Sequence, residues 1–69
     1  MNNASNAYYA DYRVGVIAEN GELFTFTIRA ADSECEAKAS AARSLRLYYG
    51  MDFVAFDFAN RIEGKSWVL

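Results

Sequence analysis

The chain has no histidine, no proline and a single cysteine, Cys35. Without imidazole there is no Ser–His or Cys–His pair for nucleophilic catalysis. One cysteine cannot close an internal disulfide. A lone thiol without histidine cannot build a tetrahedral zinc site. Of the common staples of small folds the disulfide is excluded and a metal is disfavoured, which leaves good packing or self-association. That matters for a chain of 69 residues, because a domain this small buries only about 60% of the surface its unfolded form exposes.

Glycine is scarce as well. The four glycines are isolated from one another, so there is no glycine-rich loop to cradle a phosphate. No cofactor is expected. Charge of the two signs is nearly balanced, with a net value of −2. Sequence-independent binding to nucleic acid needs a strongly cationic surface, so nucleic acid is an unfavoured partner. No apolar run approaches the length of a membrane span. Residues 1–7 carry no charge and no apolar core, unlike a secretory leader. They read as a disordered tail ahead of one domain over residues 8–69. A free thiol without an export signal fits a reducing, cytoplasmic setting.

What is present is a folding composition. Hydrophobic residues make up 54% of the chain, and five Phe, five Tyr and one Trp are among them. From Ala10 to Ala18, and again from Leu23 to Ala30, the even positions are apolar and the odd ones include Asp11, Arg13, Gly15, Thr25, Thr27 and Arg29. That is the period of a half-buried strand. A three-residue loop, Glu19-Asn20-Gly21 with Gly21 left-handed, pairs even positions with even. Val16 then faces Phe24, Val14 faces Phe26, Tyr12 faces Ile28, and Asp11 falls opposite Arg29.

A helix is expected next. Ser33 and Glu36 make a capping box, acidic residues crowd the positive end of the dipole, and Gly50 supplies the C-terminal stop. Ala37, Ala41, Ala42, Leu45, Tyr48 and Tyr49 share its apolar arc. Beyond it, strict alternation groups Val54, Phe56 and Phe58 on one face, and Phe53, Ala55, Asp57 and Ala59 on the other. A turn near Ile62-Glu63-Gly64 would return the chain through a fourth strand over residues 65–69, with Phe58 opposite Val68 and Ala59 opposite Trp67. The expected fold is α+β: one helix on one face of a four-stranded antiparallel sheet, in the order β-β-α-β-β. Strand three next to strand one avoids crossing connections; parallel pairing with strand two is the alternative.

Chemistry finds little purchase. Cys35 sits near a helix N-terminus, but Glu34 and Glu36 oppose a lowered thiol pKa, and it reads as a small residue at the core edge. Asp52 and Asp57 differ in parity and cannot share a site. The chain is therefore expected not to be an enzyme. The uncovered sheet face is the richer feature. Arg13, Arg29, Phe53 and Trp67 are its expected contact residues, because Trp and Arg are enriched at binding hot spots. Arg43 and Arg46 form a second, basic spot on the outer helix. Aromatic residues on an open sheet can stack bases, but no RNA-recognition motif accompanies them.

Residues Ile28-Arg29-Ala30-Ala31-Asp32-Ser33, then Glu36-Ala37-Lys38-Ala39, and finally Gly64-Lys65-Ser66-Trp67-Val68 resemble the layout of small phage-encoded proteins. The likeness is to type I anti-CRISPR proteins. It implies a stoichiometric inhibitor in the host bacterial cytoplasm that blocks a CRISPR surveillance complex or its nuclease, and it carries over no individual binding residue. The expected function is accordingly a non-catalytic protein-binding module, with a homodimeric structural or regulatory protein as the alternative and an RNA or single-stranded DNA binder behind both.

Overall fold

The computed structural model describes the backbone of residues 8–68 and the side chains of residues 9–62; the expected tail over residues 1–7 lies outside this range. The elements are β1 (Tyr8–Ala18), β2 (Leu23–Ala31), α1 (Glu34–Tyr49) and β3 (Phe53–Val68). The strands form one antiparallel sheet in the order β2-β1-β3. Strand three does lie beside strand one.

The first hairpin follows its sequence pattern. Val16 faces Phe24, Val14 faces Phe26 and Tyr12 faces Ile28. Gly21 has a φ of 86°, its N–H donates to the Ala18 carbonyl at 2.8 Å, and the Ala18 N–H donates to the Glu22 carbonyl at 2.9 Å. A β-carbon would strain that left-handed backbone. The Asn20 side-chain oxygen accepts from the Glu22 N–H at 3.0 Å, closing the loop on itself.

The register then slips. Ala10 faces Ala31 rather than Ala30, so Arg29 and Ala30 together oppose Asp11. Such a bulge takes one N–H out of the ladder. Asp11 repairs it: its carboxylate accepts from the Ala30 N–H at 2.9 Å and lies 3.4 Å from the Arg29 guanidinium. Asp11 is only 4% exposed.

The four-stranded sheet is not formed. β3 runs unbroken through the expected turn and stays on β1, placing Trp67 opposite Tyr9 and Val68 opposite Tyr8. Phe58 faces Gly15 and Ala59 faces Val14, not Val68 and Trp67. Between Arg61, opposite Tyr12, and Ser66, opposite Ala10, the excess length of β3 is absorbed in a bulge facing Asp11. Gly64 marks that bulge, since glycine within a strand pattern signals either feature. β1 reaches back to Tyr8 and presents unpaired backbone groups there, which the end of β3 satisfies.

Two further shifts break the alternation in β3. Gly15 faces Phe58 but Val16 faces Phe56, leaving Asp57 over; Ile17 faces Ala55 but Ala18 faces Phe53, leaving Val54 over. Each extra residue changes which side chains share a face. Phe56 and Ala59 therefore join Val16 and Val14 in the core, while Phe58 passes to the other face.

α1 closes the core. The Ser33 hydroxyl accepts from the Glu36 N–H at 3.1 Å, forming half of the capping box. Glu36 does not reach back; its carboxylate takes a hydrogen bond from Ser40 and an ion pair from Arg43. Gly50 ends the helix with a φ of 69°, and its N–H donates to the Arg46 carbonyl. Ala37, Ala41 and Leu45 form a fully buried stripe. They lie over Val14, Val16 and Ala18, while the rings of Phe24, Phe26 and Phe56 rise from the two outer strands. Small residues along the middle and large ones along the sides make a trough that seats the helix. Leu45 is the one large side chain of the stripe, and burying it contributes roughly 1.5–3 kcal/mol.

Candidate functional site

The C-termini of β1 and α1 and the N-termini of β2 and β3 meet at one end of the domain. That end is tied together by polar bonds. The Glu19 N–H donates to the Asp52 carbonyl at 2.8 Å, and the Asp52 N–H donates to the Glu19 carboxylate at 3.0 Å. The Arg46 guanidinium bonds the Asp52 carboxylate. This also places a cation at the negative end of the helix dipole.

Apolar side chains project from this braced end. Leu47 is 75% exposed and Tyr48 72% exposed. Tyr49, Phe53, Val54 and Leu23 are exposed too, and these six are all the large exposed hydrophobics among the described residues. Leu47 falls off the Ala37/Ala41/Leu45 stripe. Tyr48, expected on the core arc, is not covered, because the buried stripe ends at Leu45. The Tyr49 ring packs tilted against Phe24, with centroids 4.5 Å apart, and reaches Phe26 at 6.3 Å, so only part of it stands free. An open groove runs along Ser40, Arg43, Ser44, Leu47 and Tyr48. A smaller hollow beside it is lined by Ala42, Arg43, Arg46, Asp52 and Phe53.

The uncovered sheet face has a different character. Its cross-strand rows are Leu23–Ile17–Ala55, Thr25–Gly15–Phe58 and Thr27–Arg13–Asn60. The Phe58 ring lies over Gly15, where a β-carbon would come within 2.4 Å of it. The face thus mixes four polar side chains, Thr25, Thr27, Arg13 and Asn60, with the Phe58 ring and three aliphatic side chains, the latter all in the row nearest the braced end.

The six expected contact residues separate accordingly. Arg13 is exposed in the middle of the open face. Arg29 is exposed at the bulge and paired with Asp11. Phe53 is not on the open face: the shift at Val54 turns it toward the helix side, 4.7 Å from Phe56. Trp67 lies opposite Tyr9 in the ladder, and its side chain lies outside the described residues. Arg43 donates to Ser40 at 2.9 Å, and Arg46 holds Asp52. The structure therefore brings Arg43, Arg46 and Phe53 together and leaves Arg13 and Arg29 on the opposite face. Leu47 and Val54 are not among the six expected contact residues. The signal for Leu47 was present, as a leucine off the apolar stripe; Val54 needed the bulge to be known.

Cys35 is exposed rather than tucked into the core edge. Among the described residues no three His, Cys, Asp or Glu side chains gather as metal ligands, and no helix is long and apolar enough to cross a membrane. No family model, curated protein or solved structure matches the chain.

Proposed function

We propose that the chain is a small non-catalytic module that binds another protein through the apolar end formed by Leu47, Tyr48, Phe53 and Val54, rimmed by Arg43 and Arg46. One observation carries this reading: the large exposed apolar side chains are gathered at one end instead of scattered. Scattered exposed apolar residues are ordinary, whereas a contiguous patch with a polar rim marks a contact site. Tyrosine and arginine are also the side chains that most often dominate binding energy. The brace of Glu19, Asp52 and Arg46 supports this reading by holding the end in shape before contact, which lowers the ordering cost of association.

The resemblance of residues 28–68 to type I anti-CRISPR proteins makes a bacterial CRISPR effector complex the first partner to try, with steric blocking as the action. The test is a tagged pulldown from a lysate containing such complexes, run with the native chain and with Leu47→Ser/Tyr48→Ser. The expected result is stoichiometric capture of one effector subunit by the native chain and loss of capture by the variant, whose fold is kept because both side chains are exposed. Undiminished capture by the variant would remove the apolar end from the account.

A further inference from the structure

The two outer strands treat their free edges differently. The register of β3 with β1 shifts at Val54, at Asp57 and again opposite Asp11, and bulges of this kind protect an edge from pairing with other chains. β2 has no such protection from Leu23 to Arg29. Its register with β1 is unbroken there, residues 23–28 carry no charge, and the chain has no proline. The hairpin bonding fixes which backbone groups are free. The pair Ala18–Glu22 is hydrogen-bonded, so Phe24, Phe26 and Ile28 bond to β1, and Leu23, Thr25, Thr27 and Arg29 point their N–H and C=O groups outward. Among the described residues no strand lies beyond them.

We propose that this edge pairs with the same edge of a second copy, antiparallel about a two-fold axis at Phe26, to give a continuous six-stranded sheet. The segment is chemically symmetric about that residue. Thr25 meets Thr27 of the second copy, Phe26 meets its own counterpart, Phe24 meets Ile28, and Leu23 lies along the aliphatic stem of Arg29. Thr–Thr and aromatic cross-strand pairs are favourable, and like charges never come opposite one another. Shifting the register by two residues runs one end into the Gly21 loop or the other into the Ala30 bulge, where the backbone φ of 56° is no longer extended. The central register is therefore the longest uninterrupted one. Phe24, Phe26 and Ile28 face the core yet are only half-buried, so the second copy would cover apolar surface that a lone domain leaves in water. A foreign strand could use the same backbone groups, but it would not account for the symmetry about Phe26. The inference is independent of the partner proposed for the helix end.

Hydrogen exchange on the native protein tests the proposal without any substitution. A dimer of this kind protects the Thr25 and Thr27 amides as well as those of Phe24 and Phe26. Fast exchange at Thr25 and Thr27 beside slow exchange at Phe24 and Phe26 would overturn it. Light scattering then reads the register. Thr25→Lys/Thr27→Lys sets lysine against lysine across the axis and should weaken the dimer by tenfold or more. Thr25→Lys/Thr27→Glu sets lysine against glutamate and should restore it. A native chain that stays monomeric across about a hundredfold range of concentration, a dimer indifferent to the double lysine, or an edge filled only in the presence of another protein would each contradict the proposal.

Discussion

Asp11 is the residue on which most of the local geometry turns. A buried carboxylate on a sheet is costly unless it is paired and hydrogen-bonded. Here it accepts the N–H that the β2 bulge withdraws from the ladder and sits beside Arg29. Replacing Asp11 by Ala would leave the Ala30 N–H without its acceptor and should cost about 2–3 kcal/mol in a urea melt. Arg29→Ala should cost under about 1 kcal/mol, because Arg29 is largely exposed and such pairs are weak. Equal losses in the two variants would mean that the ion pair, not the repaired backbone, is what Asp11 supplies. The neighbouring Ala30 has a φ of 56°, a region that costs a residue with a β-carbon about 1–2 kcal/mol. Ala30→Gly should therefore raise stability by roughly 0.5–1 kcal/mol, the relief exceeding the entropic penalty of glycine. A fall in stability would show that the left-handed backbone is not the state in solution. The pairing of Asp11 with Arg29 was visible from strand parity alone. The bulge was not, because nothing in Arg29-Ala30-Ala31 announces an extra residue: alanine is the residue in the left-handed position, not glycine.

At the scale of elements, the first hairpin and the helix were legible and the third strand was not. The hairpin carries its own turn chemistry and a clean period of two, and the helix carries both caps. β3 offers the same period, but two extra residues, Asp57 and Val54, shift its faces. Its glycine falls at a bulge instead of a turn. The exchange of Phe58 to the uncovered face also explains Gly15, a glycine in the middle of the central strand. The Phe58 ring occupies the space a β-carbon would need. Gly15→Ala should cost about 1–3 kcal/mol by forcing that ring aside. Removing the ring as well, in Gly15→Ala/Phe58→Ala, should cost less than the sum of the single changes. Strict additivity would mean that the two residues do not touch.

For the whole molecule, the sequence pattern points to the open sheet as a partner surface, whereas the large exposed apolar side chains gather at the helix end. Arg43 and Arg46, the expected contacts on the helix, flank the candidate site. Parity alone puts Phe53 on the open sheet, and a single extra residue, Val54, turns it to the helix side. Leu47 and Tyr48 were hidden by a different limit: a helical period shows which side chains share an arc, not where the buried stripe stops. The resulting domain has a mixed polar and apolar sheet face, a regular free edge and one apolar end. The most direct test of the account compares them against the captured partner by titration calorimetry. Leu47→Ser/Tyr48→Ser should weaken binding by tenfold or more, whereas Arg13→Ala on the open face should leave it unchanged. The reverse ranking would return the contact surface to the sheet and contradict binding through the apolar end.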